Sequence, residues 1–192
     1  MEETIKVNIS RLPIVIGQNG QTKANISKKT NTLIDINSKT GDVVISSDKS
    51  YYGIYVAKKI IDAISKGFSP QNALQLLNDN VALEIIDIRD YVDNIRNREK
   101  IAQIKGRVIG RNGKVKELIE KKQKCVLSIY GYYIGIIGSE NQLKKTRDII
   151  EKILQGASHT TVFKMLKSDI YTDKKSFKNS QDTPIDDIFF DE

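Results

Sequence analysis

Apolar and polar positions alternate at the start of the chain. Ile5, Val7 and Ile9 are separated by Lys6, Asn8 and Ser10, the period of a half-buried strand. Leu33, Ile34 and Ile36 predict a second strand and Val43 to Ile45 a third, joined by the hairpin turn Lys39-Thr-Gly-Asp42. Helical spacing follows: Ile54, Ala57, Ile61 and Ile64 share one face behind a cap at Ser47/Asp48. The second half shows the same succession. Val81 to Ile88 predicts a strand, and Cys125 to Tyr130 and Tyr133 to Ile137 predict a hairpin turning at Gly131. Leu143, Thr146, Ile150, Ile153 and Leu154 predict a helix opened by the capping-box pattern Ser139-Glu-Asn-Gln142. The polar stretch Asp90 to Lys100 predicts a surface loop.

Between the halves, Gly67 ends one helix and Ser69-Pro70 starts a short one with Ala73, Leu74 and Leu77 on its apolar face. It lacks the Gly/Ser or Pro richness of a loose linker, so a packed connector is expected. Gly156 stops the next helix, and Ser158 starts a last one carrying Val162, Met165 and Leu166. From about Asp169 the periodicity fades, and a poorly ordered tail is expected. Ile185, Ile188, Phe189 and Phe190, set among carboxylates, suit docking on a partner.

Both halves carry a glycine pair between apolar residues. Val108-Ile-Gly-Arg-Asn-Gly-Lys114 stands in the second and Val15-Ile-Gly-Gln-Asn-Gly20 in the first. Setting Gly17 on Gly110 also brings Asn19 onto Asn112, Gly20 onto Gly113, Lys23 onto Lys116, Ile26 onto Ile119 and Lys28-Lys29 onto Lys121-Lys122. Leu33, Ile34 and Ile36 then fall on Val126, Leu127 and Ile129. A match this extended is an internal repeat. Gly110 and Gly113 lack Cβ, so the turn can take positive φ and a ligand backbone can come close. A helix beginning near Gly113 leaves its first N–H groups and the positive end of its dipole facing out, a ready anion site. Arg111, Lys114 and Lys116 add the cations that a sugar-phosphate strand needs.

Composition narrows the partner. No apolar run of the 192 residues approaches the roughly 18 residues of a membrane span, so no membrane partner is expected. The first residues show neither the basic nor the apolar region of a secretory signal. A single Cys125 excludes an internal disulfide and suits a reducing cytoplasm. Net charge is +7, yet Asp182, Asp186, Asp187, Asp191 and Glu192 sit together in the last acidic stretch, and without them the remainder stands at +12. A body this basic points to a polyanion, nucleic acid ahead of membrane.

Candidate chemistry is thin. A phosphate-binding P-loop needs a glycine where Val108 stands and Ser or Thr where Val115 stands. His159 is the only histidine, without the Cys or His companions of a metal site. Cys125 fits a buried strand position with no base beside it. No catalytic residue, metal or cofactor is expected. Tyr130, Tyr132 and Tyr133 flank the hairpin, as half-buried sheet residues or as surfaces on which bases stack.

The βααββα order with a GxxG turn between its first two helices resembles the K-homology (KH) domain, a clamp for about four nucleotides of single-stranded nucleic acid. The fold expected is α+β: two tandem type I KH domains, each a three-stranded antiparallel sheet covered by helices on one face, plus connector and C-terminal helices. Expected boundaries are 1–68 and 81–168, with a connector at 69–80 and a flexible, acidic-ended tail at 169–192. The junction Gly67-Phe-Ser-Pro-Gln-Asn-Ala-Leu-Gln-Leu-Leu77 and the segment Gly156-Ala-Ser-His-Thr-Thr-Val-Phe-Lys-Met-Leu166 resemble the archaeal members of the partner-of-Nob family of small-subunit assembly factors. That resemblance, over residues 3 to about 168, implies binding near the 3′ end of small-subunit ribosomal RNA, help to the Nob endonuclease that trims it, and contacts with other assembly or translation factors.

The RNA-binding residues expected are Arg107, Val108, Ile109, Gly110, Arg111, Asn112, Gly113, Lys114 and Lys116, with Gly17, Gln18, Asn19, Gly20 and Lys23 in the first copy. Bases would turn toward a groove walled by Val108, Ile109, Leu118, Leu127 and Ile129. Lys23 and Lys116 stand where many KH domains carry an aliphatic residue, which trades apolar platform for phosphate contact. From Arg11 to Lys29 there are four cations and no carboxylate, whereas from Ile104 to Lys124 eight cations face Glu117 and Glu120. The second copy is therefore expected to bind RNA more tightly, the first to orient it or to bind protein. Two other readings stand beside this one: a KH-based protein-interaction scaffold, and an RNA-binding regulator of translation or transcription.

Overall fold

The computed structural model describes residues 1–92, 96–158 and 160–166. The N-terminal half runs β1 (Glu2–Lys6), α1 (Leu12–Ile16), α2 (Gln21–Thr30), β2 (Leu33–Asn37), β3 (Asp42–Ser46) and α3 (Tyr51–Ser65). The short α4 (Pro70–Ala73) and a 3-10 turn, Leu74–Leu77, lead to the C-terminal half. There the order is β4 (Ala82–Asp87), α5 (Arg98–Ile109), α6 (Lys114–Gln123), β5 (Val126–Tyr130), β6 (Tyr133–Gly138) and α7 (Glu140–Leu154), followed by α8 at 160–166. Each half thus has the order βααββα. Each sheet is antiparallel, with strand orders β1-β3-β2 and β4-β6-β5.

The alternation along the strands decides what each sheet buries. In the N-terminal sheet Ile34, Val43 and Ile45 face α3, whose Ile54, Ala57, Ile60, Ile61 and Ile64 are buried against them. The opposite face is polar and carries Asp35, Asn37 and Asp42. In the C-terminal sheet Ile86, Leu127, Ile134 and Ile136 pack with α5, α6 and α7. Its opposite face is also covered: Val126, Leu83 and Ile137 join the core of the N-terminal half. Covering on one face therefore holds for the first sheet, while the second is packed on both. The reason lies in the sequence, since β6 is buried along nearly its whole length instead of alternating.

Phe68 keys the halves together. It is 2% exposed and lies against Gly135, where a Cβ would overlap its ring; a Cβ on Gly67 would overlap Tyr130 and Ser128. Around this contact Ser128 Oγ donates to the Lys66 carbonyl (3.1 Å). The Arg11 guanidinium donates to the carbonyls of Ile64 (2.9 and 2.7 Å) and Phe68 (2.9 Å), satisfying acceptors that the end of α3 leaves open, and lies over the Tyr130 ring at 5.0 Å. Lys66 Nζ stands 3.6 Å from the centroid of Tyr133.

Several local expectations shift. The cap of α3 is Ser50, whose hydroxyl accepts from Tyr52 N–H (3.1 Å), because Ser47 is occupied by Lys49 and Ser50 N–H and by the Asn31 carbonyl. The strand stops at Lys6, although Val7 is still buried. Asn8 accepts from Ser10 N–H and turns the chain into a 3-10 turn at Ile9–Arg11, leaving Ile9 56% exposed. The expected loop Asp90 to Lys100 holds a 3-10 turn at Ile88–Tyr91 and the start of α5, where Asn97 accepts from Lys100 N–H (2.9 Å). Gly67 and Gly156 end α3 and α7 at φ 104° and 101°, and Ser139 with Gln142 forms the capping box. His159 and the tail from 167 onward lie outside the described residues.

The keyed contact makes a measurable prediction. In chemical denaturation, Phe68→Ala should cost about 3–5 kcal/mol. Gly135→Ala should cost about 1–3 kcal/mol alone, by overpacking, and nearly nothing in the Phe68→Ala background, so that the double-mutant cycle shows strong coupling.

Candidate nucleic-acid interface

The two glycine-bracketed turns have the same backbone. Gly17 and Gly110 sit at φ/ψ 75°/172° and 74°/172°, Asn19 and Asn112 at 51°/29° and 53°/25°, and Gly20 and Gly113 at 77°/7° and 79°/3°. The first of these is a region reserved for glycine. A Cβ on Gly17 would overlap Thr22 and one on Gly110 would overlap Val115, whereas at Gly20 and Gly113 nothing lies within 4 Å. The left-handed middle position suits asparagine, which tolerates it better than most side chains. The helices that follow, α2 and α6, have Gly20 and Gly113 as N-caps without a side-chain hydrogen bond. Both turns are solvent-facing, with Gln18, Asn19, Arg111 and Asn112 exposed. The N–H groups of Gly20 and Gln21, like those of Gly113 and Lys114, close back on carbonyls of the turn, and no side chain caps either helix N-terminus.

The side chains around them sort differently from the sequence expectation. Val108 is 0% exposed and Leu127 is buried, so these two belong to the core that holds the turn, while Ile109, Leu118 and Ile129 are half-buried. Arg11 is drawn into the contact between the halves. Lys105 donates to the Gly131 carbonyl (3.1 Å), and Arg107 donates to the Ala157 carbonyl, tying α5 to the segment after α7. Lys116 lies 3.0 and 2.9 Å from the two carboxylate oxygens of Glu120. Glu120 was not foreseen as part of the site. It also accepts from Leu127 N–H at 2.7 Å, which links α6 to β5. Arg111, Lys114, Lys121, Lys122 and Lys124 remain without an ion pair among the described residues, as do Lys23, Lys28 and Lys29 in the first copy. Cationic surplus thus persists at both turns and is larger at the second.

The tyrosines divide. Tyr130 and Tyr133 are half-buried beneath Arg11 and Lys66, whereas Tyr132 is 41% exposed with the Arg89 guanidinium 5.4 Å from its ring. Arg89 also holds the Asp87 carboxyl below its ordinary range. Cys125 is buried, and burial pushes its thiol up although the Thr146 hydroxyl lies 3.4 Å from the sulfur. Such a thiol is a poor nucleophile. Among the described residues there is no cluster of three or more potential metal ligands, and no helix is long and apolar enough to cross a membrane.

With this geometry in place, the likenesses to known proteins are informative. Residues 82–170 match the model of a eukaryotic type KH domain, KH-domain type I. A KH domain-containing protein of Methanocaldococcus jannaschii is 32% identical over 169 residues, covering 87% of this chain and 73% of that one. The RNA-binding protein pno1 of Dictyostelium discoideum is 26% identical over 179 residues, 88% of this chain and 74% of its own length. The crystal structure of Dim2p from Pyrococcus horikoshii OT3 superimposes with a TM-score of 0.81 at 36% identity, over 88% of this chain and 99% of the other. The chain belongs to the pno1/Dim2p family of KH proteins. Another similar structure, with a TM-score of 0.83, 35% identity and coverage of 90% and 95%, comes from an a/eIF2α–aDim2p–rRNA complex of the same archaeon. In this Dim2p-type chain the KH match spans the half holding Gly110 to Gly113.

The turn geometry predicts an ordering of stabilities. Gly113→Ala should cost about 1–2 kcal/mol for the left-handed backbone alone, while Gly110→Ala should cost clearly more, since it adds overlap with Val115 to a glycine-only conformation. Thermal and urea denaturation of the two variants checks it.

Proposed function

We propose that the chain is a non-catalytic RNA-binding factor of small-subunit ribosome assembly, gripping single-stranded ribosomal RNA near its 3′ end. The observation that carries this reading is the pair of uncapped, solvent-facing helix N-termini ringed by unpaired cations, in a chain 35% identical to one from an rRNA complex. Phosphates lie along Gly110 to Gly113 with Arg111 and Lys114 beside them. Bases turn toward Ile109, Leu118 and Ile129. Affinity comes from the backbone contacts, and any sequence preference from the base edges.

In this reading the N-terminal half is a second KH domain, with boundaries at 1–68 and 81–168, a connector at 69–80 and a tail from 169. Its turn, Gly17 to Gly20 with Lys23, has neutral Gln18 where the other has Arg111 and so grips RNA more weakly. The protein works in the cytoplasm without metal or cofactor and assists the Nob endonuclease without cutting RNA itself. The match of both halves in turn dihedrals and strand order supports the tandem assignment.

The decisive variant is the double substitution Arg111→Asp/Asn112→Asp. It places negative charge at the N-terminus of α6 and leaves the core untouched. Binding of a single-stranded RNA from the 3′ end of small-subunit rRNA, followed by fluorescence anisotropy, should weaken by more than about tenfold with an unchanged melting temperature. Gln18→Asp/Asn19→Asp should cost less. For the wild type, log affinity should fall linearly with log salt at a slope of about −0.7 per phosphate neutralised. Affinity unaffected by the first variant rejects the site.

A further inference from the structure

We infer that Glu120 is a base-reading residue of the C-terminal turn, selecting a nucleobase that offers an exocyclic amino group, as cytosine and adenine do and uracil does not. This rests on the RNA-binding reading above and extends it from grip to selectivity.

β5 is an edge strand, so alternate residues point their N–H and C=O groups away from β6. Leu127 belongs to the outward set, because its N–H donates to Glu120 Oε1 at 2.7 Å. Ile129, two residues on and paired in the same register, presents its N–H and C=O the same way. The carboxylate therefore stands at the head of a row of polar groups on the strand edge, on the helix that starts at the phosphate-binding turn. Lys116 Nζ approaches both of its oxygens, at 3.0 and 2.9 Å. A carboxylate accepts about four hydrogen bonds. Lys116 and Leu127 use three of these, leaving a position on Oε2 of a side chain that is 24% exposed.

A structural role alone does not account for the charge. Tying a helix to a strand needs an acceptor but no anion, and a carboxylate close to bound phosphates opposes affinity. The N-terminal half folds with the same topology while Ser27 occupies the matching place. Paired with Lys116, Glu120 adds little net repulsion yet keeps a directional, partly exposed acceptor beside the edge of β5. It takes a hydrogen from cytosine N4 or adenine N6, whereas a uracil carbonyl in that position would set lone pair against lone pair. Lys116 is correspondingly withdrawn from phosphate contact, in contrast to Lys23. The C-terminal turn therefore discriminates among bases, and the N-terminal turn, with Ser27 and an unpaired Lys23, holds backbone without choosing.

The test compares short C-rich, A-rich and U-rich single-stranded oligonucleotides by fluorescence anisotropy at one salt concentration. The wild type should bind the A-rich or C-rich strand about tenfold more tightly than the U-rich one. In Glu120→Gln the carboxamide still accepts from Leu127 N–H but offers its NH2 to the base, and the preference should shrink to about twofold or less. Glu120→Ser, copying a residue that its sister half carries in a folded state, provides a second variant should the first melt early. A preference that survives both substitutions overturns the inference and leaves RNA binding intact, as does a wild type that binds all three strands alike. A wild type that binds none of them overturns the RNA-binding reading itself.

Discussion

The rest of the structure depends on a backbone constraint: a helix that must restart, after four residues, at an angle to the one before it. Three positive-φ residues in those four accomplish this at Gly17 to Gly20 and again at Gly110 to Gly113. Because glycines occupy the cap positions, no side chain satisfies the first N–H groups of α2 or α6. In most helices a Ser, Thr, Asp or Asn would do so. In the proposed binding mode a ligand oxygen would take the place of that side chain. The apolar residues on either side, Val15 with Ile26 and Val108 with Ile119, are fully buried and hold the turn against its core.

A second constraint comes from the seam between the two halves. The back face of the first sheet stays polar, whereas that of the second is apolar and closed by Phe68 and the residues around it. Gly135 and Gly67 are glycines there for lack of space, unlike Gly20 and Gly113, which have space in excess. The seam also redirects charge. Arg11, which counted toward a basic nucleic-acid surface in the sequence, lies over Tyr130 and bonds carbonyls at the end of α3, and Lys66 stands over Tyr133.

What was legible in the sequence tracks how local the cause is. Element order, the capping box at Ser139 and the two turns could be read because each follows from a few neighbouring residues: alternation, a Ser-x-x-Gln pair, and glycines where only glycine fits. The cap of α3 lies two or three residues beyond the expected Ser47/Asp48, since Ser47, Asp48 and Ser50 are all competent caps and the bond from Ser47 to the Asn31 carbonyl engages Ser47 elsewhere. The contact between the halves was illegible for the same reason. Arg11 meets Tyr130 across more than a hundred residues, and nothing near either announces it. Glu120 lay between these cases. Its pairing with Lys116 is the ordinary i,i+4 helix pattern, but its second partner, Leu127 N–H, comes from a strand edge that exists only once the sheet has formed.

The seam bears on how RNA would be held. Were the halves joined by a flexible linker, a strand engaging both turns would have to fix their relative orientation on binding, at an entropic cost that subtracts from affinity. Here Phe68, Arg11 and Lys66 fix that orientation in the free protein, so in the proposed binding mode a strand spanning both turns would meet them already oriented. The second engagement then behaves as intramolecular. Weak phosphate contacts at Gly17 to Gly20, too few in charge to hold RNA on their own, would still add to a strand already gripped at Gly110 to Gly113. On that division a turn with its glycines but a neutral Gln18 needs only to receive a backbone delivered to it.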